Sequence, residues 1–79
     1  MEDNEIGQRV AKVVSSVLGV KEDDVAPEKR FVDDLGAESV QSLELIAGFE
    51  DEFDIEMDED AALQVKTVGD ALSFIRKYL

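Results

Sequence analysis

Apolar residues recur at helical spacing in three stretches of this chain. In the first stretch they lie three or four positions apart, as residues on one helix face do. They are Ile6, Val10, Val13, Val14 and Val17. Asp3 or Asn4 is placed to cap the start of this helix, and Gly19 is placed to end it. The pattern predicts a first helix over about residues 4–18.

A second amphipathic stretch begins just after Ser39. At about 100° per residue, its side chains separate into two faces about 150° apart. One face is wholly apolar and is expected to be buried; it consists of Leu45, Ile46, Phe49 and Phe53. The other face mixes small apolar residues with carboxylates and is expected to be an exposed docking strip; it consists of Val40, Glu44, Ala47 and Asp51. Leu43 lies between the two faces.

The third stretch predicts a last helix that Thr67 caps, with Asp70 three residues further on. Its apolar stripe consists of Val68, Ala71, Leu72, Ile75 and Leu79. The run from Asp58 to Val65 predicts one or two further helical turns. Residues 19–38 form a long connection that contains Pro27, with a short turn expected at 21–24 or 28–31. We therefore expect an all-α fold, a small bundle of three main helices plus one short helix with a long first loop, as one domain over residues 1–79.

The chain contains neither cysteine nor histidine. It therefore has no thiolate for a disulfide or a metal, and it lacks the commonest general base. We predict no catalytic residue, no metal ligand and no independent enzymatic activity. The alternating acids from Asp54 to Asp60 resemble the start of a calcium-binding loop, but Glu59 and Val65 stand where that loop needs a glycine and a closing glutamate.

The net charge of −12 is concentrated in one segment of the chain. Residues 31–65 contain 12 acidic residues and no lysine or arginine. The rest of the chain contains the other 8 acids and all 8 bases, so its net charge is zero. This charge repels nucleic acid and anionic membranes and attracts basic protein surfaces. The sequence also lacks an apolar run of about 20 residues and a signal-peptide pattern. We therefore expect a cytoplasmic protein, and the charge favours a monomer.

The segment Asp34-Leu35-Gly36-Ala37-Glu38-Ser39-Val40 contains the most informative chemistry. It places one serine at the start of a helix, just after a turn with glycine, where a modifying enzyme can reach the hydroxyl. A serine at this position is often only a helix N-cap, which is the alternative interpretation of Ser39. The run from Phe31 to Phe53 resembles the signature of acyl carrier proteins, whose usual Asp-Ser-Leu motif stands here as Glu38-Ser39-Val40.

The resemblance extends over nearly the whole chain. It also includes Leu18-Gly19-Val20, Glu44-Leu45, Phe49 to Phe53 and Thr67 to Ala71. It implies that a phosphopantetheinyl transferase attaches a 4'-phosphopantetheine arm to Ser39. The arm would then carry acyl groups as thioesters, for fatty-acid or related lipid or polyketide biosynthesis.

The resemblance further implies that acyl-processing enzymes with basic docking patches recognise the carrier. The expected recognition positions are Glu38, Val40, Glu44, Ala47 and Asp51. The expected lining of an acyl pocket is Ser42, Leu43, Ile46 and Met57.

Three positions depart from the family pattern: Glu38 replaces aspartate, Val40 replaces leucine, and Gly48 lies in mid-helix. We interpret them as signs of a specialised carrier rather than the housekeeping one, with neutral drift as the alternative. Two other functions stay open. One is an unmodified acidic module that binds basic partners. The other is a peptidyl or aminoacyl carrier, although the glycine-glycine-x-serine context usual for peptidyl carriers is missing before Ser39.

Overall fold

Helices make up the regular structure of the computed structural model, which describes residues 2–79 and leaves Met1 outside the description. The helices are α1 (Asp3–Leu18), α2 (Ser39–Phe53), α3 (Glu59–Ala62) and α4 (Val68–Arg76). The long first connection contains one 3-10 turn, Glu22–Asp24. The predicted all-α fold of three main helices and one short helix is confirmed, and the short turn lies at the first of the two expected places.

The first helix begins earlier than the sequence predicts. Glu2, with an extended backbone, occupies the N-cap position of α1, and no side chain caps this end. The prediction that Asp3 or Asn4 caps the helix is therefore wrong, because both lie inside its first turn. Asp3 instead forms an ion pair with Arg76 of α4, at 3.0 Å. The predicted stop is confirmed: Gly19 has φ of 72°, and its N–H donates to the carbonyl of Ser15.

The core lies where the apolar faces of α1, α2 and α4 meet. The buried residues of these helices are Ile6, Val10, Val13 and Val14 of α1, Leu45, Phe49 and Phe53 of α2, and Val68, Ala71 and Ile75 of α4. Three further residues of the predicted apolar stripes are half-buried and pack against it: Val17, Ile46 and Leu72. The predicted inner faces therefore pack together, with these three residues at the edge.

The long first connection is held against the start of α4. The backbone N–H of Phe31 donates to the carbonyl of Lys66 at 3.0 Å, and the N–H of Gly69 donates to the carbonyl of Pro27 at 2.8 Å. A Cβ at position 69 would lie 3.0 Å from that carbonyl oxygen, so glycine permits the close approach. Phe31 is buried in the core. The connection thus packs across the helices and fixes the approach to Ser39.

The C-terminal stripe ends sooner than the spacing predicts. α4 ends at Arg76, so Leu79 lies beyond it and is 51% exposed. Tyr78 packs edge-on against the ring of Phe74, with centroids 5.4 Å apart, and its hydroxyl accepts from the backbone N–H of Asp58 at 3.2 Å. The prediction that Leu79 joins the stripe is wrong, because the chain leaves the helix three residues before it.

No helix in residues 2–79 combines the length and the apolar character that crossing a membrane requires.

Candidate functional site

Ser39 is the first residue of α2 and does not cap it. The N-cap position belongs to Glu38, which has an extended backbone. The N–H of Glu38 donates to Oε1 of Gln41 at 2.9 Å, which is one half of a capping box. Ser39 is exposed, and within residues 2–79 its hydroxyl makes no hydrogen bond. The interpretation of Ser39 as an N-cap is therefore wrong, and the hydroxyl is available to an incoming group.

A closed loop holds the backbone just before Ser39. The N–H of Ala37 donates to the carbonyl of Phe31 at 2.8 Å, and the N–H of Gly36 donates to the carbonyl of Val32 at 3.1 Å. Gly36 has φ of 74°, a conformation that other residues rarely adopt. Ala37 is buried, whereas Ser39 two residues later is exposed. The loop thus anchors one side of the site in the core and presents the serine to solvent.

Arg30, just before this loop, forms ion pairs with two carboxylates at its start. Oδ2 of Asp34 accepts from the backbone N–H of Arg30 at 2.8 Å and from its Nε at 3.3 Å. Oδ2 of Asp33 lies 3.2 Å from Nη1 of the same guanidinium. These hydrogen bonds, from the backbone first and the side chain second, lower the pKa of Asp34 below its ordinary value. The sequence motifs predict no role for Arg30, although its spacing of three and four residues from two acids is a signal of such ion pairs.

The predicted recognition positions all lie on the surface. Glu38, Val40, Glu44, Ala47 and Asp51 are exposed, and Val40 reaches 60%. In the part of the chain that the structure describes, none of the three carboxylates among them forms an ion pair. The four that belong to α2 follow helical spacing and share one side of it. Their role in recognition stays a prediction, but all are accessible to a partner.

A cavity of about 230 Å³ opens between α2, α3, α4 and the first connection. Three of the four predicted pocket residues, Ser42, Ile46 and Met57, line it. Leu43 does not; its side chain is 47% exposed and lies outside the lining. The lining also includes residues outside the predicted pocket, among them Phe31, Leu45, Phe49, Ala62, Val65 and Phe74. That the cavity holds a cargo stays a prediction.

The chemistry available at the site is that of an acceptor hydroxyl. In residues 2–79 no group of three or more acidic or other metal-binding side chains is arranged to hold a metal ion. An exposed serine oxygen that makes no hydrogen bond within residues 2–79 suits covalent attachment of a flexible arm. The residues present therefore fit a group that an external enzyme attaches.

Comparisons with known proteins agree with this arrangement. The family described as "Phosphopantetheine attachment site" matches residues 8–75. The structure is similar to that of a putative acyl carrier protein from Mycobacterium tuberculosis, with a TM-score of 0.84 and 29% identity over 91% of this chain and 96% of that one. It is also similar to the acyl carrier protein from Enterococcus faecalis, with a TM-score of 0.80 and 33% identity over 100% of both chains.

Proposed function

The chain belongs to the acyl carrier protein family, whose members carry groups rather than catalyse reactions, and we propose that Ser39 is its attachment point. The family match also means that covalent 4'-phosphopantetheine is expected on this protein. The arm supplies a thiol, and the thiol holds an acyl group as a thioester. The protein's own task is then to present that group to other enzymes.

The observation that carries this proposal is that Glu38, and not Ser39, occupies the N-cap position of α2. Glu38 occupies the cap position of α2, so Ser39 stays exposed with a hydroxyl that no residue in 2–79 engages. In the transfer, the Ser39 oxygen bonds to phosphorus, and the nucleoside bisphosphate portion of coenzyme A leaves. The hydroxyl proton goes to a general base, which we assign to the transferase.

The partners we propose are a phosphopantetheinyl transferase and acyl-processing enzymes with basic docking patches. The support is the exposed carboxylates of Glu44 and Asp51 on α2, within a segment of 12 acids and no bases. Opposite charges steer association and raise its rate, and added salt screens the effect. We further propose fatty-acid or related lipid or polyketide biosynthesis as the pathway class, the cytoplasm as the compartment and a monomer as the working form.

Intact-mass measurement tests the attachment point. The protein is incubated with coenzyme A and a broad-specificity phosphopantetheinyl transferase, beside Ser39→Ala and the matched control Ser73→Ala. Ser73 is also exposed, but it lies within α4. We expect one phosphopantetheine increment on the natural protein and on Ser73→Ala, and none on Ser39→Ala.

Two results would contradict the proposal. An increment on Ser39→Ala would move the arm to another residue. No increment on any form, under conditions that load a control carrier, would favour the unmodified acidic module. The incubation would then be repeated with a dedicated transferase that recognises Glu38 and Val40.

A further inference from the structure

Two basic residues are among those that line the cavity, and they directly flank the segment without bases. Arg30 and Lys66 stand on either side of residues 31–65, and both line the cavity. Arg30 pairs with Thr67 in an isolated antiparallel bridge, and the N–H of Phe31 donates to the carbonyl of Lys66. This pairing brings the two ends of the acidic segment together. Two basic residues therefore contribute to the lining of a cavity whose other lining residues are mostly apolar.

The two cations differ in what surrounds them. Arg30 is held by the carboxylates of Asp33, at 3.2 Å, and Asp34, at 3.3 Å. Lys66 is exposed, and its ammonium forms no ion pair with any carboxylate in residues 2–79. The one carboxylate among the lining residues is Asp33, which Arg30 already engages. Lys66 is thus a lining residue whose charge has no carboxylate partner within residues 2–79.

We propose that Lys66 binds a carboxylate on the acyl cargo, so that this carrier favours acyl groups with a carboxylate at the far end; this rests on the proposed function. A plain alkyl chain can fill the apolar interior but leaves the ammonium with water alone. A lysine ammonium is a compact point charge, and an anion is its natural complement. Because Lys66 is exposed, the paired carboxylate stays partly hydrated and avoids the cost of full burial.

The cavity volume indicates how long such a cargo is. An apolar cavity of about 150 Å³ accommodates the six carbons of benzene. By proportion, the cavity of about 230 Å³ accommodates about nine carbons. An acyl chain of about eight carbons therefore fits the cavity, and Lys66 is among the residues that line the space its end group would occupy.

The test compares two cargoes of equal length on the arm of the loaded protein. One is an eight-carbon alkyl acyl group, and the other is an eight-carbon acyl group that ends in a carboxylate labelled with ¹³C. The pKa of the labelled carboxyl is followed by NMR in the natural protein and three variants. Lys66→Gln removes the charge, Lys66→Arg keeps it, and Lys77→Gln removes one charge beyond the end of α4, away from the cavity lining.

An exposed ion pair favours the charged form by about 1.5- to 5-fold, so we expect a pKa about 0.2 to 0.7 pH units higher in Lys66→Gln than in the natural protein. Lys66→Arg and Lys77→Gln should stay close to the natural protein. The amide signals of Val65 and Lys66 should also shift more with the carboxylated cargo than with the alkyl one.

Equal changes in Lys66→Gln and Lys77→Gln would overturn the inference, because they would show only the loss of general positive charge. Amide shifts at Val65 and Lys66 that are the same for both cargoes would overturn it as well. A protein that takes no arm at Ser39 gives a different result, namely the failure of the proposed function itself, and the inference falls with it.

Discussion

Gly48 of α2 lies directly against Val13 of α1. A Cβ added at position 48 would be 2.8 Å from Cγ1 of Val13, closer than real Cβ contacts occur. Gly48 thus has a packing reason in mid-helix, because the two helices approach each other there. Packing alone explains the glycine, so Gly48 is no longer a sign of a specialised carrier. The departures at Glu38 and Val40 are the two that still support that interpretation.

The contact predicts the effect of Gly48→Ala. Alanine stabilises a helix by about 1 kcal/mol relative to glycine, but overpacking a core costs about 1–3 kcal/mol. We expect a net loss of about 1 kcal/mol in the free energy of unfolding, measured by urea denaturation. Gly7→Ala is the matched control, because nothing lies within 4 Å of a Cβ added at that position of α1.

The control should stabilise the protein by up to about 1 kcal/mol, through helix propensity alone. In a Val13→Ala background the atom that Gly48→Ala meets is gone, so the substitution should no longer destabilise. A loss of stability that persists in that background would show that the contact with Val13 is not its cause.

A second prediction concerns Arg9, which joins α1 to the end of α2. Its Nε donates to Oε2 of Glu52 at 2.7 Å, its Nη2 donates to the carbonyl of the same residue, and its guanidinium lies 4.7 Å from the ring centroid of Phe53. The side-chain hydrogen bond from Arg9 lowers the pKa of Glu52 below its ordinary value of 4.5. The folded state therefore favours the charged carboxylate.

The sign of the pH dependence follows from that shift. A carboxyl with a lowered pKa in the folded state stabilises the protein above its unfolded pKa, and this contribution is lost as pH falls through the folded pKa. We expect Glu52→Gln to be less stable than the natural protein at pH 7, with a difference that shrinks below pH 4.5. Urea denaturation at several pH values measures it.

Glu56→Gln removes the same charge at an exposed position with no ion pair in residues 2–79, and it serves as the control. It should cost no stability at pH 7, because it relieves repulsion in the acidic segment. If both variants lose the same stability with the same pH profile, the pair with Arg9 contributes nothing of its own.

The elements of the fold were predictable where local sequence decides them. The stripe of α1, the Thr67 cap and the Gly19 stop each depend on residues within a few positions, and the structure contains all three. The reason for Gly48 was not predictable, because it depends on Val13 of another helix. Leu79 was misplaced because its spacing continues the stripe although the helix has already ended.

The candidate site divides in the same way. Ser39 was identified from its local motif, and its exposure depends on neighbours within the same loop. The cavity was only partly predictable, because a void is the space that several elements leave between them. Ser42 and Ile46 lie at its α2 wall, whereas Leu43, adjacent in sequence, points elsewhere. That Lys66 has no carboxylate partner within residues 2–79 likewise depends on where distant carboxylates lie.

A third prediction follows from the crowding of carboxylates in residues 31–65. Twelve acids without a base in that segment repel one another in the compact state, and salt screens this repulsion. We expect the melting temperature to rise when sodium chloride or magnesium chloride is added to a low-salt buffer. A melting temperature that stays constant with both salts would contradict the expected self-repulsion.

The last prediction concerns docking by α2. Glu44 is exposed on the outer face of this helix and forms no ion pair in residues 2–79, so its charge is free for a partner. Glu44→Lys should slow association with a basic transferase by about 1.5- to 5-fold or more, since it replaces attraction with repulsion. Surface-immobilised binding at low salt measures the rate constant.

The control is Glu22→Lys, which makes the same charge reversal in the 3-10 turn of the first connection. Both variants change the net charge from −12 to about −10, so any difference between them reports position rather than total charge. Docking through α2 predicts a much larger effect at Glu44, and one that diminishes as salt rises because the exposed charges are screened. Equal slowing by both variants would mean that partners respond to the overall field of the protein and not to the face of α2 beside Ser39.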